Sequence, residues 1–268
     1  MSRLVAAFDR ARGQGRLALI PFLTVGYPDV SATPDLVSAV VAGGADIVEL
    51  GVPFSDPLAD GATIQKASAA ALAQGVTLLT CLETAGTLRR RGVDAPLVLM
   101  GYYNPFLAYG LERFARDAAR QGVDGVIVAA LPPEEAEPFH GLCRAQGLDM
   151  VFLLSPTSTD ERVTRVCRLA SGFIYCVSLT GVTGARQEMS SAVADLIRRI
   201  RGHTTLPLAV GFGISTPEHV RAVAGLADGA IVGSALLDAI GGAAPAERAA
   251  AARAFVAHLA SAARIARP

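Results

Sequence analysis

Residues 206–218 read LPLAVGFGISTPE, a short apolar run that leads through a glycine-rich turn into the start of a helix. Gly211 and Gly213 permit a close approach of the backbone, and Ser215 or Thr216 can cap the helix that follows. A buried strand that passes directly into a helix is the repeating unit of parallel α/β folds.

Seven similar apolar runs, many of them β-branched, lie elsewhere in the chain and lack the alternation of half-exposed strands, which predicts buried parallel strands. The eight predicted strands cover residues 17–24, 46–51, 96–101, 123–129, 149–154, 172–178, 206–211 and 228–233. Helical patterns cover residues 28–41, 63–73, 78–91, 111–121, 133–146, 159–169, 190–201 and 217–224. Two of these follow the second strand, and an Ala-rich helix that ends near residue 264 follows the last helix of the repeat.

A doubly wound open sheet also alternates strands and helices, but it usually has fewer strands and a glycine-rich turn after its first strand. In this chain the glycine-rich turns follow the late strands. We therefore predict an α/β fold in which residues 1–268 form a single (β/α)8 TIM barrel, with one extra helix after strand 2 and a C-terminal helix. The active site of such a barrel lies at the C-terminal ends of its strands, and the loops after strands 7 and 8 commonly hold phosphate.

The composition favours small-molecule chemistry in the cytoplasm. Lys plus Arg equals Asp plus Glu at 24 each, which predicts no general attraction for nucleic acid, and no apolar run is long enough to span a membrane. Residues 1–16 lack the apolar segment of a secretory signal. The four cysteines show neither paired spacing nor neighbouring histidines, which argues against a zinc site and a disulfide framework.

The glycine-rich turns predict a phosphate site. Gly213 follows strand 7, while Gly233 and Ser234 follow strand 8 and open another helix, whose free N–H groups and positive dipole attract anions. Each turn alone is equally consistent with an ordinary strand-to-helix connection. Their occurrence after adjacent late strands favours the phosphate interpretation.

Two carboxylates are candidates for acid–base catalysis. Glu49 lies near the C-terminal end of strand 2 among apolar neighbours, which should raise the pKa of its carboxyl, although a buried ion pair is an equal alternative. Asp60 lies in the loop that follows, where an Asp beside a Gly is also a common turn residue.

Two classes of aldolase chemistry lack suitable residues in this sequence. The single lysine, Lys66, lies in a helical stretch away from any strand end, so no amine is placed to form a Schiff base. All four histidines lie in or near predicted helices, and no two have the spacing of metal ligands. Acid–base chemistry on a phosphorylated substrate remains. The Gly/Thr-rich loop of residues 179–186 predicts a lid, with a simple mobile connection as the alternative.

Five segments resemble the signatures of tryptophan synthase α subunits: residues 20–22 (IPF), 49–51 (ELG), 53–61 (PFSDPLADG), 181–184 (GVTG) and 211–214 (GFGI). The resemblance covers nearly the whole chain and is most specific at residues 53–61. It implies a lyase of tryptophan biosynthesis that splits indole-3-glycerol phosphate into indole and glyceraldehyde 3-phosphate by a cofactor-free retro-aldol reaction.

The resemblance also implies the role of individual residues. Glu49 would be the general acid–base, Asp60 would hold the indole N–H, and Tyr175 would lie beside the reacting atoms. The implied indole pocket consists of Phe22, Ile64, Tyr102 and Phe212, the implied phosphate site of Gly184, Gly213, Gly233 and Ser234, and the lid loop contains Thr183.

Finally, the resemblance implies a partner, a pyridoxal-phosphate-dependent β subunit in an α2β2 heterotetramer, while this chain itself would hold neither cofactor nor metal. Two positions depart from the family pattern: Ala130 stands where Asp is usual, and Ala62 where Pro is usual. We therefore expect weakened coupling to the β subunit. The alternatives are a stand-alone indole-3-glycerol phosphate lyase that releases free indole, and a non-catalytic barrel that only activates a β subunit.

Overall fold

Eight parallel strands close into a barrel in which each strand pairs with the next and β8 pairs with β1. The computed structural model describes residues 2–129, 131–177, 191–211 and 213–264. The strands are β1 (Ala18–Thr24), β2 (Val48–Gly51), β3 (Leu97–Gly101), β4 (Gly125–Val128), β5 (Asp149–Leu154), β6 (Ile174–Val177), β7 (Leu208–Gly211) and β8 (Gly229–Val232). The predicted barrel is thereby confirmed.

One helix precedes β1, and the other helices follow the strands around the barrel. The helices are α1 (Arg3–Gly13), α2 (Thr33–Ala42), α3 (Ala62–Ala73), α4 (Leu78–Arg90), α5 (Tyr103–Tyr109), α6 (Leu111–Arg120), α7 (Glu137–Ala145), α8 (Asp160–Leu169), α9 (Ser191–Arg201), α10 (Pro217–Ala224), α11 (Ser234–Gly242) and α12 (Arg248–Ala260). The predicted extra helix after β2 and the C-terminal helix are confirmed. None of the helices in the described part of the chain has the length and apolar character needed to cross a membrane.

Sequence reasoning missed two helices, α1 and α5. The apolar residues Leu4, Phe8 and Ala11 recur at helical spacing in α1 and are all buried, so the signal was present in the sequence. Helix α5 has only seven residues and contains a proline near its start, which left too little periodicity to detect.

The helices α2 and α7 begin four or five residues later than predicted. Each segment contains two prolines, and the predicted starts used the first of each pair, Pro28 and Pro133. In the structure the second proline, Pro34 or Pro138, lies in the first helical turn. A proline is favoured there because the N–H groups of the first turn have no partner within the helix.

Most strands begin one or two residues later than predicted, and three of these starts are preceded by an aspartate. The carboxylate of each aspartate accepts a hydrogen bond, at 2.8 to 2.9 Å, from a backbone N–H at the start of the preceding strand. Each carboxylate also pairs with an arginine. We call these three groups the aspartate clamps: Asp46 with Leu19 and Arg16, Asp124 with Leu97 and Arg89, and Asp228 with Leu208 and Arg201.

The N-terminal end of the barrel is closed by α1. Its Phe8 ring packs against Phe173 with 5.5 Å between ring centroids, and Leu4 belongs to the same buried cluster as the inward-facing strand residues. Gly229 makes room for Phe8, because a Cβ at that position would lie 2.8 Å from the ring. A functional cavity is therefore confined to the opposite, C-terminal end of the strands.

Candidate active site

A cavity with about 280 Å³ of empty space opens at the C-terminal ends of β1 to β4. It brings together four residues that the sequence assigned to the site, namely Phe22, Asp60, Ile64 and Tyr102. Its other lining residues are Thr24, Gly51, Val52, Ser68, Met100, Gly101 and Ala129. The cavity lies where the fold class places its active sites.

The Phe22 ring forms one wall of this cavity because Gly51 leaves it space. A Cβ on Gly51 would lie 2.4 Å from the ring, so any larger residue there would displace it. On another side, a Cβ on Gly233 would lie 3.6 Å from Phe22 and 3.8 Å from Ile64. Gly233, which the sequence assigned to the phosphate site, therefore lies next to the apolar wall. A substrate with an apolar ring and a phosphate group requires these two regions to be neighbours.

Glu49 lies inside the barrel on β2, with Phe22 of β1 and Val98 of β3 as its register neighbours. Its side chain is fully buried, and neither carboxyl oxygen has a hydrogen-bond partner among the described residues. No cation in the described part of the chain pairs with it, so the buried ion pair that the sequence left open does not form there. Burial raises the pKa of Glu49 to about 8. A buried carboxyl without a partner is costly to stability and therefore indicates a functional group.

Tyr175 lies on β6 inside the barrel, with its hydroxyl over Gly211 of β7. A Cβ on Gly211 would lie 2.2 Å from that hydroxyl oxygen, so only glycine fits beneath it. Burial raises the pKa of Tyr175 well above its ordinary value, and the charges of Glu49 and Asp60 raise it further. The three predicted catalytic residues are therefore close enough to interact electrostatically.

Asp60 lies in the loop between β2 and α3, with its side chain at the cavity and half-buried. Its backbone N–H donates to the carbonyl of Pro57 at 3.0 Å, so the turn that the sequence offered as an alternative does exist. The side chain nevertheless faces the cavity. Burial raises the pKa of Asp60 to about 6, and a hydrogen bond from the Tyr102 hydroxyl opposes this rise.

The two late turns have the backbone features of an anion site. Gly213 has a φ of +82°, a conformation that favours glycine. Helix α10 is capped by Thr216, whose hydroxyl accepts from the N–H of His219. Helix α11 begins at Ser234 after Gly233, and no side chain caps this end. Leu236 and Leu237 donate their N–H groups to the carbonyl of Gly233, so within the described part of the chain the N–H groups of Ser234 and Ala235 remain available to an anion, beside the apolar wall.

Four positions named from the sequence lie outside the described residues: Phe212 of the indole pocket, Thr183 of the lid loop, Gly184 of the phosphate site, and Ala130. The whole lid loop, residues 179–186, shares this status. Their roles stay predictions. The other departure from the family pattern, Ala62, is the first residue of α3 and is exposed.

The residues of competing chemistries lie away from the cavity. Lys66 is exposed on α3. The histidines lie in α7, α10 and α12 and just after α9. Among the described residues, no group of three or more His, Cys, Asp or Glu could hold a metal ion. All four cysteines are free, and three of them are buried.

Sequence reasoning missed several lining residues, of which Thr24 carries the most chemistry. It is the last residue of β1 and only 1% exposed, and no residue that the structure describes forms a hydrogen bond with its hydroxyl. A polar residue at the C-terminal end of an otherwise apolar strand was the available signal. Ser68 on α3 contributes a second hydroxyl-bearing residue to the cavity.

Comparisons with known proteins agree with this geometry. The family profile described as "Tryptophan synthase alpha chain" matches residues 8–264. The tryptophan synthase alpha chain of Roseiflexus castenholzii is 58% identical over 256 residues, which are 96% of this chain and 98% of that protein. That of Chloroflexus aurantiacus is 51% identical over 268 residues, covering 100% of both chains.

Two solved structures extend the comparison to the fold. A tryptophan synthase from M. tuberculosis, in its open form with BRD0059 bound, has a TM-score of 0.90 at 37% identity and covers 99% of this chain and 100% of that one. The tryptophan synthase subunit alpha from Legionella pneumophila str. Paris has a TM-score of 0.90 at 36% identity, covering 98% of each chain. The chain therefore belongs to the tryptophan synthase alpha chain family, whose members cleave indole-3-glycerol phosphate in tryptophan biosynthesis.

Proposed function

We propose that this chain cleaves indole-3-glycerol phosphate into indole and glyceraldehyde 3-phosphate by cofactor-free acid–base chemistry, with Glu49 and Asp60 in separate roles. The observation that carries the proposal is the carboxyl of Glu49, which is fully buried inside the barrel, has no partner in the described part of the chain and has a pKa of about 8. Such a group is protonated at neutral pH and can act as a general acid.

In the proposed reaction Glu49 donates its proton to C3 of the indole ring, the carbon that bears the glycerol phosphate chain. The ring becomes a cationic indolenine. The bond between C3 and the side-chain carbon then breaks, its electron pair returns to the ring, and the adjacent hydroxyl loses its proton to the Glu49 carboxylate as it becomes the aldehyde. Glu49 thus ends protonated, and neither an oxidant nor a cofactor is consumed.

Asp60 has the complementary task. With a pKa of about 6 it is mostly ionised at neutral pH, so its carboxylate can accept the hydrogen bond of the indole N–H. The positive charge that develops on the ring strengthens this bond in the transition state. Tyr175, beside both carboxyls, contacts the reacting atoms.

The test of the Glu49 assignment is Glu49→Gln, assayed for indole formation from indole-3-glycerol phosphate. The amide preserves shape but transfers no proton, so we expect kcat to fall by roughly 10²- to 10⁴-fold while KM changes only a few fold. The control is Glu218→Gln, at an exposed glutamate on α10 that should leave activity unchanged. Near-normal turnover by Glu49→Gln would contradict the proposal.

For the phosphate group we propose Gly213, Gly233 and Ser234, together with Gly184. A fixed negative charge at the start of α11 should repel the phosphate, so Ser234→Asp should raise KM with a much smaller effect on kcat. The matched control is Ser234→Asn, because Asn has nearly the same size as Asp but carries no charge. An equal KM for the two variants would mean that the phosphate binds elsewhere.

The family implies a β subunit as partner, and we propose a pyridoxal-phosphate-dependent β subunit in an α2β2 assembly. Indole formation measured with and without that subunit separates the alternatives. Indole release by the chain alone excludes a non-catalytic activator, and a rate that rises with the β subunit argues against a stand-alone lyase. Weak stimulation that Ala130→Asp strengthens would support the coupling role predicted for that position.

We also infer that residues 1–268 form one domain. Helix α12 packs against α2 and α11 on the outside of the barrel, which supports this inference. The cytoplasmic location stays a prediction.

A further inference from the structure

Tyr102 follows directly after β3, and its ring lines the cavity. It also contacts the loop that carries Asp60 at two points. The ring stacks on Phe54 near the start of that loop, with 5.1 Å between centroids and 29° between the planes. Near the end of the loop, the N–H of Ala59 donates to the Tyr102 hydroxyl oxygen at 2.9 Å.

The loop has little else that joins it to the barrel wall. Of residues 53–60, Ser55, Asp56, Leu58 and Ala59 are exposed. Among the described residues, the other backbone hydrogen bonds of this segment run from the N–H of Leu58 to the carbonyl of Asp56 and from the N–H of Asp60 to the carbonyl of Pro57. The carbonyl of Asp60 also accepts a hydrogen bond from the Gln65 side chain on α3. The end of β3, through Tyr102, therefore provides its rigid support.

The Tyr102 hydroxyl still has a proton to donate. It accepts the bond from Ala59, so its own O–H is directed to another acceptor. The side chain of Asp60, the next residue, lines the same cavity and is close enough to affect the pKa of the hydroxyl. Burial and the Asp60 charge raise the pKa of Tyr102 to about 12, which keeps the phenol protonated at every relevant pH. When Asp60 is ionised the phenol is therefore the donor, and a hydrogen bond from it favours the ionised form of Asp60.

We propose that Tyr102 is a positioning residue for Asp60: its hydroxyl ties the loop to the end of β3 and donates a hydrogen bond to the Asp60 carboxylate. This inference rests on the proposed role of Asp60. The inference gives Tyr102 a role beyond its predicted place in the indole pocket. Apolar contact with the indole requires only the ring, whereas the proposed role requires the hydroxyl.

Tyr102→Phe tests the distinction, since it keeps the ring and its stack on Phe54 and removes only the hydroxyl. We expect kcat for indole formation to fall roughly 10- to 100-fold, the equivalent of one hydrogen bond to a charged group. Asp60 must be ionised, and loss of the donor raises its pKa, so the acidic limb of the kcat/KM profile should move to higher pH. The matched control is Tyr109→Phe, which removes a hydroxyl that donates to Asp117 on the outside of the barrel.

The pair Asp60→Asn and Tyr102→Phe/Asp60→Asn separates this inference from the proposed function. If Tyr102 acts through Asp60, its substitution costs little once Asp60 is already Asn. Wild-type kcat and an unmoved acidic limb in Tyr102→Phe, or an equal loss in both backgrounds, would overturn the inference and leave the role of Asp60 intact. Full activity of Asp60→Asn itself would instead overturn the proposed role of Asp60.

Discussion

Two carboxyl groups of the same chemistry have different ionisation states in this site because their surroundings differ. Glu49 is enclosed by the barrel without a donor, and burial raises its pKa to about 8. Asp60 is only half-buried and receives a hydrogen bond from Tyr102, so its pKa rises only to about 6. At pH 7 one is mostly an acid and the other mostly an anion, which is the division of labour that the proposed cleavage needs.

The buried Glu49 should lower stability at alkaline pH. Its pKa is about 8 when folded against 4.5 ordinarily, so between these values the folded state binds one more proton than the unfolded state. The free energy of unfolding therefore falls as pH rises through this window, by at most about 5 kcal/mol. Glu49→Gln lacks this loss. Urea unfolding should show the variant more stable than the wild type at pH 9 and nearer to it at pH 5, and a pH-independent difference would contradict the assigned pKa.

Thr24→Val should have opposite effects on the stability of the fold and on substrate binding. The hydroxyl of Thr24 is buried without a partner, so its replacement by a methyl group should raise the free energy of unfolding by about 1 kcal/mol. We expect bound substrate to supply the missing partner, and KM should therefore rise several fold. Thr24→Ser, which keeps the hydroxyl, should keep the wild-type KM. An unchanged KM in Thr24→Val would show that the hydroxyl does not bind the substrate. A lower free energy of unfolding would show that the hydroxyl stabilises the folded state.

At the scale of elements, the aspartate clamps hold neighbouring strands together at the end of the barrel opposite the cavity. Each joins the start of an odd-numbered strand to an aspartate one or two residues before the next strand, and at least one arginine neutralises its charge. Strands of four to seven residues form few ladder hydrogen bonds, so these side-chain bonds support the register. The register in turn places Glu49 beside Phe22.

Removal of one clamp should therefore destabilise the fold. Asp124 accepts from the N–H of Leu97 at 2.8 Å and pairs with Arg89 at 2.6 Å, with both side chains largely buried. Asp124→Asn should lower the free energy of unfolding by about 2–4 kcal/mol, measured with urea. The control is Asp35→Asn, whose side chain is 69% exposed and pairs with Arg91, away from the clamp. Equal effects would mean that the clamp contributes no more than a surface ion pair.

At the scale of the whole molecule the two ends of the barrel differ. Helix α1 closes the N-terminal end, while the C-terminal end carries the cavity and two exposed leucines. Leu58 is 94% exposed in the loop that carries Asp60, and Leu107 is 48% exposed on α5 after β3. Large apolar side chains exposed together on one rim favour contact with another protein.

We expect the proposed β subunit to cover this rim. Leu58→Ser and Leu107→Ser should weaken its binding and reduce its stimulation of indole formation, with little change in the rate of the chain alone. Leu226→Ser is the control, because Leu226 is 38% exposed but lies before β8 at the closed end of the barrel. Equal effects of all three substitutions on a titration with the β subunit would place the contact elsewhere.

Several features of this protein follow from local patterns in the chain. Eight apolar runs without alternation predict strands buried on both faces, and a parallel sheet of eight such strands closes into a barrel. The same patterns place Glu49 and Gly233 at the C-terminal ends of strands. The predicted roles of Tyr175 and Ile64 depend on the family resemblance, because the local sequence pattern alone predicts that both are ordinary core residues.

Other features arise only when the barrel closes, because they depend on contacts between residues far apart in the chain. Whether Glu49 has a partner depends on every strand around it, so no local pattern could separate a free acid from an ion pair. The hydroxyl of Tyr102 meets Ala59, 43 residues earlier, only because β2 and β3 are neighbours. The chain dictates which groups can ionise or donate, and the tertiary contacts decide the protonation state and the partner of each.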